Sequence, residues 1–149
     1  MVCGKQFDSG NCVCDVLREI AAAQTDVIEE CDVSCEQSIT DLLGENETSP
    51  NDTVPVMLYC KGNCEPFKGY GVYNNTARDV VSSYYFRVKE VDEECCATLE
   101  LLRQAGDPVN PSNPVEQGAA GLETTGICIT VDLNCFCHVT CLPATNALR

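Results

Sequence analysis

The chain has 149 residues, with 9 Lys and Arg against 23 Asp and Glu, for a formal net charge of −14. A surface this acidic repels phosphate backbones, so nucleic acid is not an expected partner. No apolar run approaches the roughly 20 residues that a membrane helix needs, so no membrane partner is expected either. The length suits a single domain over 1–149, long enough to build a hydrophobic core without covalent help.

Thirteen residues are nevertheless cysteine. That density points to a disulfide framework or a metal site. The N-terminus, Met1-Val2-Cys3-Gly4-Lys5, has none of the basic, apolar and small-residue regions of a secretory leader, so the expected place of synthesis is a reducing cytosol. An odd count means that complete oxidation leaves at least one thiol for a partner outside the chain.

Residues 1–10 read as a flexible arm carrying Cys3, and 11–43 as the helical part. Asn11 is a candidate N-cap, followed by an amphipathic run from Cys12 to Ile28. Val13, Val16, Leu17, Ile20, Ala23 and Val27 recur at helical spacing, which predicts a helix packed on a larger body. Cys12 and Cys14, two residues apart on it, point in different directions. Cys31 and Cys35 bracket a break. Ser34 and Gln37 then read as a capping box opening a second helix through Leu43, stopped by Gly44. Asn-x-Thr triplets at Asn46, Asn51 and Asn74 are read as chance occurrences.

Residues 53–142 read as the β body. Thr53–Cys60 and Gly69–Tyr73 are strand candidates, Pro55 marking an edge or a strand start. The runs Tyr84–Val91 and Cys95–Leu102 flank a polar turn, Asp92-Glu93-Glu94, as a hairpin does. The Pro-, Gly- and Asn-rich stretch 106–121 predicts a long surface loop, and Leu122–Thr125 the start of a strand. From Ile127 to Cys141 every odd position is apolar or cysteine. This predicts one strand, or two joined near Asn134, with Cys135, Cys137 and Cys141 on the core side. Helices first and strands after predict an α+β, mainly β fold: an antiparallel sandwich or barrel with one or two N-terminal helices.

Zinc is one chemical reading of the cysteines. Its specific signature, Cys-x2-Cys, is absent; the pairs present are Cys31-x3-Cys35, Cys60-x3-Cys64 and Cys137-x3-Cys141. A thiol enzyme is another. The single histidine, His138, adjoins Cys137, but neighbours on a strand face opposite sides and form no dyad. Neither a catalytic residue, nor a metal ligand, nor a cofactor site is assigned. Disulfides remain. Cys135 and Cys137 lie about 6.6–6.8 Å apart if extended, at or beyond the usual span, so each needs another partner. Cys95 and Cys96 face opposite ways. Cys3, Cys12, Cys14, Cys31 and Cys35 lie on arm, helix and break, and are the candidates for bonds between subunits. Cys95, Cys96, Cys128, Cys135, Cys137 and Cys141 are the candidates for core packing or internal bonds.

The segment Cys128-Ile-Thr-Val-Asp-Leu-Asn-Cys-Phe-Cys-His-Val-Thr-Cys-Leu142 resembles the C-terminal signature of the cysteine-rich spore coat and exosporium proteins (the CotY, CotZ and ExsY group). Asn11-Cys-Val-Cys-Asp15, Cys31-x3-Cys35, Asp52-Thr-Val-Pro55, Phe86-Arg-Val88 and Cys95-Cys-Ala-Thr-Leu99 resemble family segments in the same order. Cys60 and Cys64 are an atypical pair, and His138 replaces a small apolar residue. The resemblance implies a structural protein made in the mother cell and assembled, with other coat proteins, in the outer coat, crust or exosporium base layer. It implies self-assembly into ordered, typically hexagonal sheets hardened by disulfides. A closed ring requires a heterologous interface, which apolar strand residues and the short helices are expected to supply.

Overall fold

Asn11 caps the first helix: its Oδ1 accepts from Cys14 N at 3.0 Å, and α1 runs Cys12–Ala23. The computed structural model describes residues 10–24, 31–44, 51–107 and 110–148. The chain divides into two compact units, Met1–Cys31 and Asp32–Arg149. The first holds α1, whose apolar residues Val13, Val16, Leu17 and Ile20 are exposed. The rest of the run expected to continue to Ile28, and the arm with Cys3, lie outside the described residues.

In the second unit, α2 (Cys35–Leu43) is followed by β1 (Val56–Cys60), β2 (Gly69–Val72), β3 (Val80–Ser83), β4 (Phe86–Val91) and β5 (Cys96–Gln104). Then come α3 (Pro114–Gln117), β6 (Leu122–Asp132), a 3-10 turn (Leu133–Cys135) and β7 (Phe136–Cys141). Ser34 Oγ caps α2, accepting from Gln37 N at 3.0 Å. The Gln37 side chain donates to Asp41 at 2.9 Å, so only half of the expected capping box forms.

Five strands make one antiparallel sheet in the order β6-β5-β4-β1-β7, and β2 and β3 pair separately. The fold is α+β and mainly β, as expected. The sheet is open, so of the two forms considered a closed barrel is ruled out. The β2–β3 pair lies on the sheet: any side chain at Gly69 would strike Phe86 and Ile129, and one at Gly71 would strike Ile127. That closeness is why glycine occupies both positions.

Alternation along β5 builds the core. Ala97, Leu99 and Leu101 join Val56, Leu58, Val81, Phe86 and Ile127 in the main cluster. Leu102 instead joins Tyr84, Tyr85, Leu122 and Ala147 in a second. Each fully buried Leu contributes about 1.5–3 kcal/mol. The C-terminal tail is tied to the sheet by Asp52. Its Oδ1 accepts from Thr53 Oγ1 at 2.6 Å, Ala147 N at 2.9 Å and Leu148 N at 3.3 Å, while Thr124 N donates to Ala147 O at 3.0 Å.

Three expectations need correction. The strand expected from Tyr84 starts at Phe86, and an unforeseen strand, β3, precedes it. Ser82 and Ser83 of β3 are fully buried because polar partners reach them: Asn110 accepts from Ser82 N at 3.1 Å, and Gln117 Nε2 donates to Ser83 Oγ at 2.8 Å. The stretch 106–121 is not all surface loop either. Asn113 and Pro114 start the short helix α3, which places buried Gln117 to accept from Tyr84 N at 2.8 Å.

The third concerns the odd face of the C-terminal strands. Ile127 is buried and Ile129, Val131 and Leu133 pack against the core, but the 3-10 turn and a bulge opposite Tyr59/Cys60 then change the phase. Phe136, an even residue, turns inward, its ring 5.2 Å from that of Phe67. Cys135 and Cys137 are exposed in consequence.

Candidate functional site

The 3-10 turn between β6 and β7 begins with Asp132 as cap, its Oδ1 accepting from Asn134 N at 2.9 Å. On one side of the turn, Leu133 N donates to Cys95 O at 2.9 Å, in the β4–β5 turn. On the other, Lys61 N donates to Cys135 O at 2.7 Å, and Cys60 pairs with Phe136. Cys64 N returns to Cys60 O at 3.0 Å. These bonds stitch three connections into one rim that carries Cys60, Cys64, Cys95, Cys96, Cys135 and Cys137. All six are free thiols; Cys64, Cys95, Cys135 and Cys137 are exposed, and Cys60 and Cys96 half-buried. Cys137 Sγ donates to Cys60 O at 3.7 Å.

The rim backbone is fixed by short polar side chains. Asp92 Oδ1 accepts from both Glu94 N and Cys96 N at 2.9 Å, and Asn63 Oδ1 accepts from Glu65 N at 3.0 Å. Two rim cysteines stand in left-handed backbone, Cys64 at φ 56° and Cys95 at φ 65°. Glycine belongs there on steric grounds; a side chain costs about 1–2 kcal/mol. The chain thus places thiols at two turn tips where local structure alone would favour glycine.

The rim is acidic. Glu65, Asp92, Glu93, Glu94 and Asp132 lie on the three connections, against Lys61. The Asp92 carboxylate, burial, Asp132 and Cys95 push the Cys96 thiol above its ordinary value of 9.0. Little of it is thiolate at neutral pH, which slows attack on a disulfide.

The remaining sequence-predicted positions divide. Cys35, expected to face a neighbour, is bonded internally to Cys141, with 4.8 Å between their Cα atoms. The first turn of α2 lies against the end of β7, and spacing could not reveal a pairing across the chain. Cys141 is thus in an internal bond. Cys12 is disulfide-bonded, Cys14 is a half-buried free thiol and Cys31 an exposed one. Cys95, Cys128, Cys135 and Cys137, expected in the core or in internal bonds, are exposed free thiols: turns expose Cys95 and Cys135, and Cys128 and Cys137 are exposed strand residues. Half-buried Cys96 is also free. His138 stacks on Tyr59 with 4.3 Å between ring centroids, and its Nε2 lies 3.1 Å from Thr140 Oγ1. Among the described residues no group of three or more His, Cys, Asp or Glu is arranged to hold a metal ion.

The rim as a whole was not legible beforehand, since its six cysteines come from three separate stretches. The signal that could have marked it is a cysteine inside each of two polar turns, 61–65 and 92–95.

Comparison with known proteins fits this cysteine-rich, mainly β chain. It is 28% identical over 140 residues to spore coat protein Z of Bacillus subtilis (strain 168), covering 90% of each chain. No solved structure matches it. The family model for spore coat protein Z matches residues 1–144, which include all three described helices and the whole sheet, and the chain therefore belongs to the spore coat protein Z family, structural proteins of the spore surface.

Proposed function

We propose that this chain is a non-catalytic building block that self-assembles into a disulfide-crosslinked two-dimensional layer, built from hexameric rings, in the outer coat, crust or exosporium base layer. The observation that carries the crosslinking is the supply of unbonded thiols: nine described cysteines are free, and six of these gather on the adjoining turns of the rim, where two occupy backbone better suited to glycine. Such thiols are poorly explained as packing, since four are exposed. Membership of the spore coat family supplies the setting. Cys3, Cys14 and Cys31 are the proposed links between copies, with Cys35 withdrawn from that set because Cys141 holds it, and Cys12 because it too is already disulfide-bonded. A subunit of −14 repels its copies, so the contacts must be apolar, covalent or cation-bridged.

Electron microscopy of the recombinant protein, with and without reductant, tests this directly. Ordered sheets that loosen or dissolve on reduction are expected. Non-reducing gels of assembled, never-alkylated protein should show ladders. Monomers alone under those conditions would end the crosslinking reading.

A further inference from the structure

We infer that the thiol rim joins this chain to a different protein, basic and cysteine-bearing, rather than to a second copy of itself. The inference rests on the crosslinking reading above and adds the partner's chemistry.

The argument is one of charge. Two rims brought together would oppose Glu65, Asp92, Glu93, Glu94 and Asp132 of one copy to the same residues of the other, with only Lys61 to offset them. Nor do the described residues offer a basic surface elsewhere on the chain. Arg87 is held by Thr53 Oγ1 at 3.0 Å, and Arg103 by Ser82 O at 2.6 Å and the Asp107 carbonyl at 2.9 Å. Lys68 donates to Pro111 O at 3.0 Å, and Lys89 lies 3.9 Å from a Glu100 carboxylate oxygen. Arg18 is engaged too. That leaves Lys61, in the rim itself, and Arg78. The described residues of a second copy cannot answer the rim's charge; a Lys- and Arg-rich segment can.

Docking such a segment also changes the chemistry. Cations beside the rim offset the Asp92 and Asp132 carboxylates that push the Cys96 thiol up, and so raise its thiolate fraction where the partner sits. In the bond-forming step a rim thiolate attacks a partner cysteine carried as a mixed disulfide with a small thiol. The new S–S bond joins the chains. The small thiol leaves with the electron pair of the broken bond and takes up the proton the rim thiol gave up, so no other oxidant is needed. The acidic rim thereby holds Cys96 back before the partner arrives, and its charge draws a basic partner to the other rim thiols.

The test uses reduced full-length protein and two synthetic peptides, one rich in Lys and Arg, the other in Asp and Glu. Each carries one cysteine as its thiopyridyl disulfide, so release of thiopyridone reports the rate. The basic peptide should react at least about tenfold faster at low salt, with the preference collapsing at about 1 M salt. Mass mapping should place its first adducts on Cys64, Cys95 and Cys135, ahead of Cys31 and Cys128, exposed thiols outside the rim. The triple variant D92N/E93Q/E94Q should lose most of the preference. Equal rates, or adducts spread evenly over rim and non-rim thiols, would overturn the inference. So would air-oxidised protein, without peptide, in which rim-to-rim bonds between copies predominate; that outcome leaves crosslinking intact and removes only the foreign partner. No bond between chains at all, in assembled protein, would remove the crosslinking reading and this inference with it.

Discussion

Cys35, the first residue of α2, is bonded to Cys141, the last residue of β7, across 106 positions of sequence. One helical turn further on, Ser38 Oγ donates to Leu142 O at 2.6 Å, so a covalent and a polar tie hold the same corner. A bond that closes so long a loop removes much freedom from the unfolded chain, by about 4–5 kcal/mol on the chain-entropy account, against about 2–4 kcal/mol typically measured. Replacing both residues, as Cys35→Ser with Cys141→Ser, should lower unfolding free energy by about 2–4 kcal/mol in non-reducing urea. An unchanged midpoint would show that the corner is held without the bond. Cys35→Ser alone should also free the Cys141 thiol for labelling.

Asp52 gives the second unit an acid-sensitive latch. Burial alone would push its carboxyl up. The Thr53 hydroxyl, the Ala147 and Leu148 amides and the Arg87 guanidinium together hold it below its ordinary value of 3.8. A carboxylate with a lowered folded-state value contributes stability that is fully present above the unfolded value and is lost as pH falls through the folded one. The latch should therefore hold at neutral pH and weaken below about pH 4. Amide exchange at Ala147 and Thr124 should accelerate across that acid range. Asp52→Ala should speed it already at pH 7, with a stability loss on the order of 1.5 kcal/mol, the lower end for hydrogen bonds to a charged group. Exchange at these amides that is indifferent to both changes would mean that the tail is held by its backbone bonds alone.

These two ties mark where sequence reading stops. Asn11, Ser34 and the turn at Asp92 are local signals, and each formed the cap or turn expected of it, because the deciding hydrogen bond reaches only two to four residues. The alternation from Ile127 to Cys141 revealed both terminal strands and the break near Asn134. It could not show that the 3-10 turn changes the phase: apolar residues and cysteines continue on the odd positions after Phe136 has turned inward. The strand β3 escaped notice because Ser82 and Ser83 look like loop residues. They are buried only because Asn110, Arg103 and Gln117 arrive from distant stretches to satisfy them. The rim and the Cys35–Cys141 bond are likewise products of tertiary contact.

The two left-handed rim cysteines separate stability from function. At Cys95, φ 65°, glycine removes a steric cost of about 1–2 kcal/mol and adds an unfolded-state entropy penalty of about 0.5–1 kcal/mol. Cys95→Gly should therefore raise stability by about 0.5–1 kcal/mol, and Cys64→Gly, at φ 56°, by a similar amount. Both should reduce crosslinking in assembled material. Urea midpoints and non-reducing gels of the same samples read the two effects. A destabilised glycine variant would show that these thiols pack, and that the turns do not carry them at a cost.

The contact of β2 with the main sheet allows the sharpest stability test. Ile127 Cγ2 occupies the space that a Cβ on Gly71 would need, and Leu101 Cδ2 stands 3.8 Å away on the same side. Leu101 is fully buried and Ile127 nearly so, so neither can swing into solvent. Gly71→Ala must then push the β2–β3 pair off the sheet or force the isoleucine from its rotamer, at about 1–3 kcal/mol. Ile127→Ala alone should cost about 2–5 kcal/mol, because it opens a cavity at the same place. In the double variant the added methyl fills part of that cavity. Its loss should fall short of the sum of the two singles by about 1 kcal/mol or more, as for side chains that share one volume. Strict additivity in a double-mutant cycle would mean that β2 does not sit over Ile127.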